Sequence, residues 1–372
     1  MKIGIDARMI SATGIGRYAK SLIEQLSFLD KKNSYYIFLK KDDFEKYKIK
    51  NNNFKKIEAD FHWYGLSEQI KFPKLLKKYN LDLVHFPHFN VPVFYRGRFA
   101  ITVHDLTLHK YKTAKKQRRF SFVYGIRNFI YKKIIKKAIR KSKIIFTPSL
   151  YTKKDILKSF DVAGGKIVVT HLGGPSQSLK EVKQDERILK RKRIKKPYIL
   201  YVGNAYPHKN LEVIIKALKK TKKINAVLVG KEDFFYKNIK EEAKKQKIAD
   251  RTVFTGFVTD EELAALYKNS SLYVFPSFNE GFGLPPLEAM SFGLPVLSSD
   301  RSCMPEILED AALYFNPKKE KELSRKIIKI IKDENLKKEL VEKGFKQIKK
   351  FSWEKMGKST LVAYLKTGEK DE

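Results

Sequence analysis

The chain has a single cysteine, Cys303, which excludes an intramolecular disulfide and fits a reducing compartment. Histidines are few as well, and no Cys/His spacing of the zinc type occurs, so no metal site is expected. No apolar run is long enough to span a bilayer. Asp6 and Arg8 interrupt the apolar start of Met1–Ile10, which argues against a signal peptide. The expectation is therefore a cytoplasmic protein. Neither a low-complexity linker nor a short-period repeat is present. Acidic residues are in short supply: 41 Asp+Glu against 78 Lys+Arg leave a net charge of +37, concentrated in the N-terminal half. Such an excess attracts nucleic acid or anionic lipid headgroups, or it reflects a lysine-rich habit spread over solvated faces.

What is present is ample material for burial. Hydrophobic residues make up 42% of the chain, and 372 residues exceed one ordinary core, so two domains are expected. Lys2–Asp6 reads as a first strand, followed by Thr13-Gly14-Ile15-Gly16-Arg17 and a helix with Tyr18, Leu22, Leu26 and Leu29 on one face. Further strands are expected at Tyr35–Lys40, Asp82–Phe86, Phe99–His104, Lys143–Thr147 and Lys166–His171, with helices at Ser67–Tyr79 and Phe120–Arg140. A polar stretch from Leu172 to Lys196 reads as an interdomain connection. A second series follows: strands at Tyr198–Val202, Ala226–Val229, Val253–Thr255, Ser271–Phe275, Pro295–Leu297 and Ala312–Phe315. Helices Leu211–Lys219, Glu261–Lys268, Leu287–Phe292 and Glu320–Ile331 lie between them. Alternation of this kind implies parallel sheets covered by helices, hence an α/β protein of two Rossmann-like, doubly wound domains.

In open α/β sheets, ligands bind beyond the carboxyl ends of the strands. Glycines and polar residues gather there: Gly14 and Gly16; His85 and His88; His104 and Asp105; Ser149; Gly203 and Asn204; Gly230 and Lys231; Gly256 and Phe257. Two such rims facing each other across a cleft would form one site. The densest stretch is Ser277 to Met290, where two glycines and two prolines lie between Glu280 and Glu288. Carboxylates accept hydroxyl protons, glycines admit close backbone approach, and helix-opening N–H groups favour anions. The layout suits a polyol carrying phosphate. The Gly14-x-Gly16 turn lacks the third glycine of the dinucleotide fingerprint, so a nicotinamide cofactor is not expected.

Asn279-Glu280-Gly-Phe-Gly-Leu-Pro-Pro-Leu-Glu288-Ala-Met resembles the Glu-x7-Glu motif of the retaining group-1 (GT4) glycosyltransferases, which have the GT-B fold. The resemblance runs over nearly the whole chain. Gly-Ile-Asp-Ala-Arg8, Gly14-x-Gly16-Arg17-Tyr18 and Val103-His104-Asp105-Leu106 resemble the mannosyltransferase-like branch. So do Val202-Gly203-Asn204-x3-His208-Lys209-Asn210 and Phe254-Thr-Gly256-Phe257-Val-Thr-Asp260.

The resemblance implies that Glu280 binds donor-sugar hydroxyls and Glu288 the ribose. The N–H groups around Phe282, Gly283 and Leu284 would hold the sugar and diphosphate, while Lys209 neutralises the leaving group. Gly256-Phe257 would lie beside the base, Gly14–Gly16 near phosphates or acceptor, and His104 near the reacting sugar with Asp105 behind it. Arg17, His85 and His88 are acceptor-side candidates. Many members carry an arginine where Asn204 stands; here Arg17, Lys231 or helix N-termini would share its task with Lys209. The resemblance further implies a nucleotide-sugar donor (GDP-mannose or a UDP-sugar), no cofactor or metal, and a glycan or lipid-linked acceptor. It also implies a C-terminal helix that returns to the first domain, giving domains 1–175 with 354–372 and 176–353. Alternatives are an inactive binding protein of the same fold, a nucleic-acid-binding protein, or a sugar-nucleotide epimerase; nucleic acid is not the expected partner, because it leaves the acidic Glu280/Glu288 pair without a role.

Several of these residues have plainer readings: Glu280 as a loop carboxylate, Glu288 as an acid favoured at a helix start, and His104, His85 and His88 as structural histidines. Lys110–Lys143 contains no acid, and aromatics interleave its cations at Phe120, Phe122, Tyr124, Phe129 and Tyr131. Ile130, Ile134, Ile135 and Ala138 recur at helical spacing with lysines opposite. Such a helix either lies on an anionic membrane or packs its apolar face on the sheet.

Overall fold

The computed structural model describes residues 1–111, 121–174, 183 and 185–368, with side chains for all but 121–129. Of the expectations above, Phe120, Pro175 and Ser176 lie outside the described residues, as do the side chains of Phe122, Tyr124 and Phe129. The chain divides into two compact units, one of Met1–His109, Ala114–Gly173 and Ser352–Glu372, the other of Lys110–Thr113 and Gly174–Phe351.

The first unit is built on a parallel sheet of β1 (Lys2–Asp6), β2 (Ser34–Leu39), β3 (Phe54–Glu58), β4 (Leu83–Phe86), β5 (Phe99–Thr102), β6 (Ile144–Thr147) and β7 (Ile167–Val169). Its strand order is β3-β2-β1-β4-β5-β6-β7, every pairing parallel. Central strands are buried on both faces, β4, β5 and β6 at every residue. That is why they appear in the sequence as unbroken apolar runs. β3 was not expected from the sequence. Its Phe-Lys-Lys-Ile-Glu pattern sits at the sheet edge, where lysines are tolerated and the apolar signal is weak.

The helix Trp353–Gly368 belongs to this unit. It packs so closely on Gly14–Leu29 that a Cβ at Gly357 would lie 2.6 Å from Gln25 Cβ. Gly173 passes over the Trp353 ring, where a Cβ would be 2.2 Å away.

The second unit repeats the plan with β8 (Tyr198–Val202), β9 (Asn225–Val229), β10 (Thr252–Gly256), β11 (Leu272–Phe275), β12 (Val296–Ser299) and β13 (Ala312–Phe315). The order is β10-β9-β8-β11-β12-β13, again parallel. Several helices were not read from the sequence, the longest of them Leu150–Ser159, Phe234–Lys245 and Glu334–Ile348. The motif helix starts three residues earlier than expected, at Leu284, because prolines are accepted in a helix's first turn.

In each sheet the strand order reverses once, between β1 and β4 and between β8 and β11. Loops leaving such adjacent strands diverge to opposite faces and open a crevice at the carboxyl edge. The expected site residues follow these strands: Gly14 after β1, His85 and His88 at β4, Asn204 after β8, and Glu280 after β11.

Candidate active site

In the second unit, Lys209 closes a short turn, Pro207–Lys209, beyond β8. The loop after β11 is fastened to this turn by Phe278 N–H, which donates to His208 O at 2.7 Å. Asn210 adds a second tie: it adopts a left-handed conformation (φ 57°), and its amide donates to Pro276 O at 3.2 Å and Pro317 O at 2.8 Å. These fastenings bring Lys209 Nζ to 2.6 Å from Glu280 Oε1 and 2.9 Å from Oε2. Both side chains are mostly buried yet reachable, at 17% and 13% exposed. From below, Cys303 Sγ donates to Glu280 O at 3.3 Å, and burial pushes that thiol's pKa well up.

Gly283 carries the chain from this loop into the helix Leu284–Ser291 with φ 88°, a conformation that favours glycine. A Cβ there would also meet Met304 Cε at 2.4 Å. Pro285 and Pro286 bring no N–H, so the donors of the first turn narrow to those near Leu284. Phe282 is buried edge-on against Phe351, their centroids 5.3 Å apart. Glu288 lies in the second turn of the helix and is buried, so an acid favoured by the helix start is not its explanation. Instead Tyr267 OH donates to Glu288 Oε2 at 3.2 Å, and the Tyr267 ring is itself stacked on Phe292.

The turn after β8 is set from beneath by two tyrosines. Tyr236 OH donates to Gly203 O and Tyr201 OH to Asn204 O, each at 2.7 Å. The Asn204 side chain is exposed, its oxygen accepting from Tyr206 N–H at 3.4 Å. Gly256 has φ 73° and open space where a Cβ would be, and Phe257 beside it is 85% exposed.

In the first unit, the two glycines of the Gly14-x-Gly16 turn separate in role. A Cβ at Gly16 would lie 2.3 Å from Ile10 O, so that glycine serves packing, whereas Gly14 is open. Arg17 is half-buried one residue further on. His104 Nε2 is 3.0 Å from Pro87 O, which can only accept, so Nε2 carries the hydrogen and Nδ1 is the basic nitrogen. Tyr18 meets its ring edge-on at 5.0 Å. Burial lowers the His104 pKa, with Pro87 O and Asp105 partly offsetting it. Asp105 accepts from Thr107 N–H at 2.7 Å and so helps shape the turn after β5. Ser149 is likewise a cap, accepting from Thr152 N–H at 3.1 Å.

His85 departs from the acceptor-side expectation. It is fully buried between Tyr364 OH and Thr102 Oγ1, and burial takes its pKa down to about 3. Thr102 in turn donates to Tyr18 OH at 3.0 Å, so a polar chain runs from the C-terminal helix to the ring beside His104. His88 is half-buried on Phe89, its Nδ1 accepting from Asn90 N–H. Burial and the neighbouring His104 bring its pKa down to about 3. One cluster was missed in the sequence: buried Arg8 pairs with Asp6 and with Glu68, while Asn90 donates to Glu68. The cluster ties the loops leaving β1 and β4, and no local pattern announces a contact across such separations.

Residues 182–347 match the family model of the glycosyl transferases group 1, and residues 12–173 that of Glycosyltransferase Family 4. The chain is 26% identical over 380 residues to O-antigen chain mannosyltransferase B of Escherichia coli, covering 95% of this chain and 96% of that one. It is 30% identical over 260 residues to O-antigen chain mannosyltransferase RfbU of Salmonella typhimurium, covering 70% and 67%. Among solved structures, the sucrose-phosphate synthase of Thermosynechococcus elongatus superposes with a TM-score of 0.77 at 20% identity, covering 98% of each chain.

Proposed function

The chain belongs to the group-1 glycosyl transferases, and we propose that it moves mannose, with retention, from GDP-mannose to a glycan or lipid-linked acceptor in cell-surface polysaccharide synthesis. The observation that carries this reading is the Lys209–Glu280 pair at the carboxyl edge of the second sheet. An ammonium beside a carboxylate at an accessible edge suits a donor that presents both a diphosphate and sugar hydroxyls. When the donor enters, Lys209 turns to the diphosphate and Glu280 to the hydroxyls, each exchanging one partner for another. Positive charge fixed near the developing diphosphate stabilises the leaving group. Lys209 supplies such charge from the protein itself, which suits transfer without a metal or cofactor.

Glu288 accepts from the ribose while Tyr267 holds its other face, and exposed Phe257 offers a ring beside the base. The N–H groups near Gly283 and Leu284 bond the sugar and diphosphate. In the first unit, His104 keeps Nδ1 as its basic nitrogen and Gly14 leaves open space, features that suit acceptor hydroxyls or phosphate. The two O-antigen mannosyltransferases among the relatives support mannose as the sugar. The exposed lysines Lys132, Lys133 and Lys136 of Ser121–Lys141 provide an electrostatic attraction to an anionic membrane, where a lipid-linked acceptor would reside.

The test is a panel of GDP- and UDP-sugars read by thermal stabilisation and by transfer. GDP-mannose should raise the melting midpoint most and be consumed; a larger response to a UDP-sugar would overturn the choice of donor.

A further inference from the structure

In the helix Ser121–Lys141, Ile135, Ala138 and Ile139 are buried in the first unit's core, so this part of its apolar side does not reach a membrane. An exposed apolar surface lies beside it, on the helix Leu66–Lys77 and the loop before β5. Leu66 is 83% exposed, Phe94 58%, Tyr64 57% and Ile70 49%. Leu66 and Ile70 are one helical turn apart and so share a face. Val93 N–H donates to Gln69 Oε1 at 2.6 Å, which holds the Phe94 loop against that helix. Lys137 Nζ donates to Val93 O at 2.7 Å, which joins the basic helix to the same loop.

The exposed charges of the helix Leu66–Lys77 and of the loop before β5 are of one sign. Glu68, the sole acid of Leu66–Lys77, is fully buried against Arg8, whereas Lys71, Lys74 and Lys77 are exposed, as is Arg96 of the neighbouring loop. Several large apolar side chains exposed together need a reason, and a helix and loop whose exposed charges are all cationic do not suit a basic partner such as a second copy of this +37 chain. We infer that this surface docks on an anionic lipid bilayer, with Leu66, Ile70, Phe94 and Tyr64 entering the headgroup–acyl boundary while Lys71, Lys74 and Arg96 meet lipid phosphates. Apolar insertion and cationic attraction together give an attachment that neither gives alone.

The inference is independent of the choice of donor sugar. It is tested on the full chain by flotation with vesicles of phosphatidylglycerol mixed with phosphatidylcholine, and of phosphatidylcholine alone, at low and high salt. The parent should float with the anionic vesicles, and high salt should weaken but not abolish the attachment. Leu66→Ser/Ile70→Ser/Phe94→Ser should lower partitioning by about tenfold or more, including the part that resists salt. Its melting midpoint and its stabilisation by nucleotide sugar should stay unchanged. Lys71→Glu/Lys74→Glu should lose the salt-sensitive part. Partitioning of the serine variant equal to the parent's would overturn the inference. So would self-association that the serine variant abolishes while vesicles bind neither protein. Loss of nucleotide-sugar stabilisation in the parent would count against the proposed function and leave the flotation result standing.

Discussion

Lys209 and Glu280 satisfy each other across 71 residues of chain, and any donor that binds there must separate them. Removing either partner leaves the other charge in a largely buried position, which destabilises the fold as well as the chemistry. The two effects are separable. Lys209→Ala should lower kcat by roughly 10²–10³, the usual loss when one preorganised charge is taken from a transition state. Glu280→Gln keeps a hydroxyl partner and should mainly raise the donor KM. Melting midpoints recorded alongside the kinetics distinguish lost chemistry from lost fold. Unchanged transfer in both variants would remove the pair from the site.

Single elements carry a different kind of constraint. The helix Leu284–Ser291 can begin where it does only because Gly283 adopts φ 88° in a space that Met304 closes. Gly283→Ala should therefore cost about 1–3 kcal/mol of stability, measured by urea denaturation. Gly14 opens another helix but has open space in place of a Cβ and no positive φ. Gly14→Ala should leave stability within about 0.5 kcal/mol of the parent while impairing phosphate or acceptor binding. The two substitutions look alike in the sequence, and equal stability losses would refute the distinction between them.

At the scale of the molecule, buried histidines make the first unit sensitive to acid. The folded pKa of His85 is about 3, below the ordinary value of 6.5, so the unfolded chain binds its proton first as pH falls. The contribution to stability is thus fully present above 6.5 and is lost as pH falls toward 3, with a slope of up to about 1.4 kcal/mol per pH unit. Denaturation midpoints measured across that window should fall with pH in the parent. The fall should be shallower in His85→Gln, and parallel curves would count against a neutral, buried His85.

The sequence by itself determined the class of fold, the existence of two sheets and the edge at which to search. Strands buried on both faces must be written as continuous apolar runs, and glycines and polar residues must follow where they end. The filled Glu-x7-Glu stretch singled out Glu280 and Glu288 for the same local reason. Tertiary structure alone decided which of three similar histidines is closed in the core, and that Ile135, Ala138 and Ile139 of the basic helix are buried there while Ile130 is left exposed. It also decided which glycine is needed for packing, and that Glu280 is held by Lys209 and Glu288 by Tyr267. These are contacts between residues far apart in the chain, and side-chain type and local spacing do not encode them.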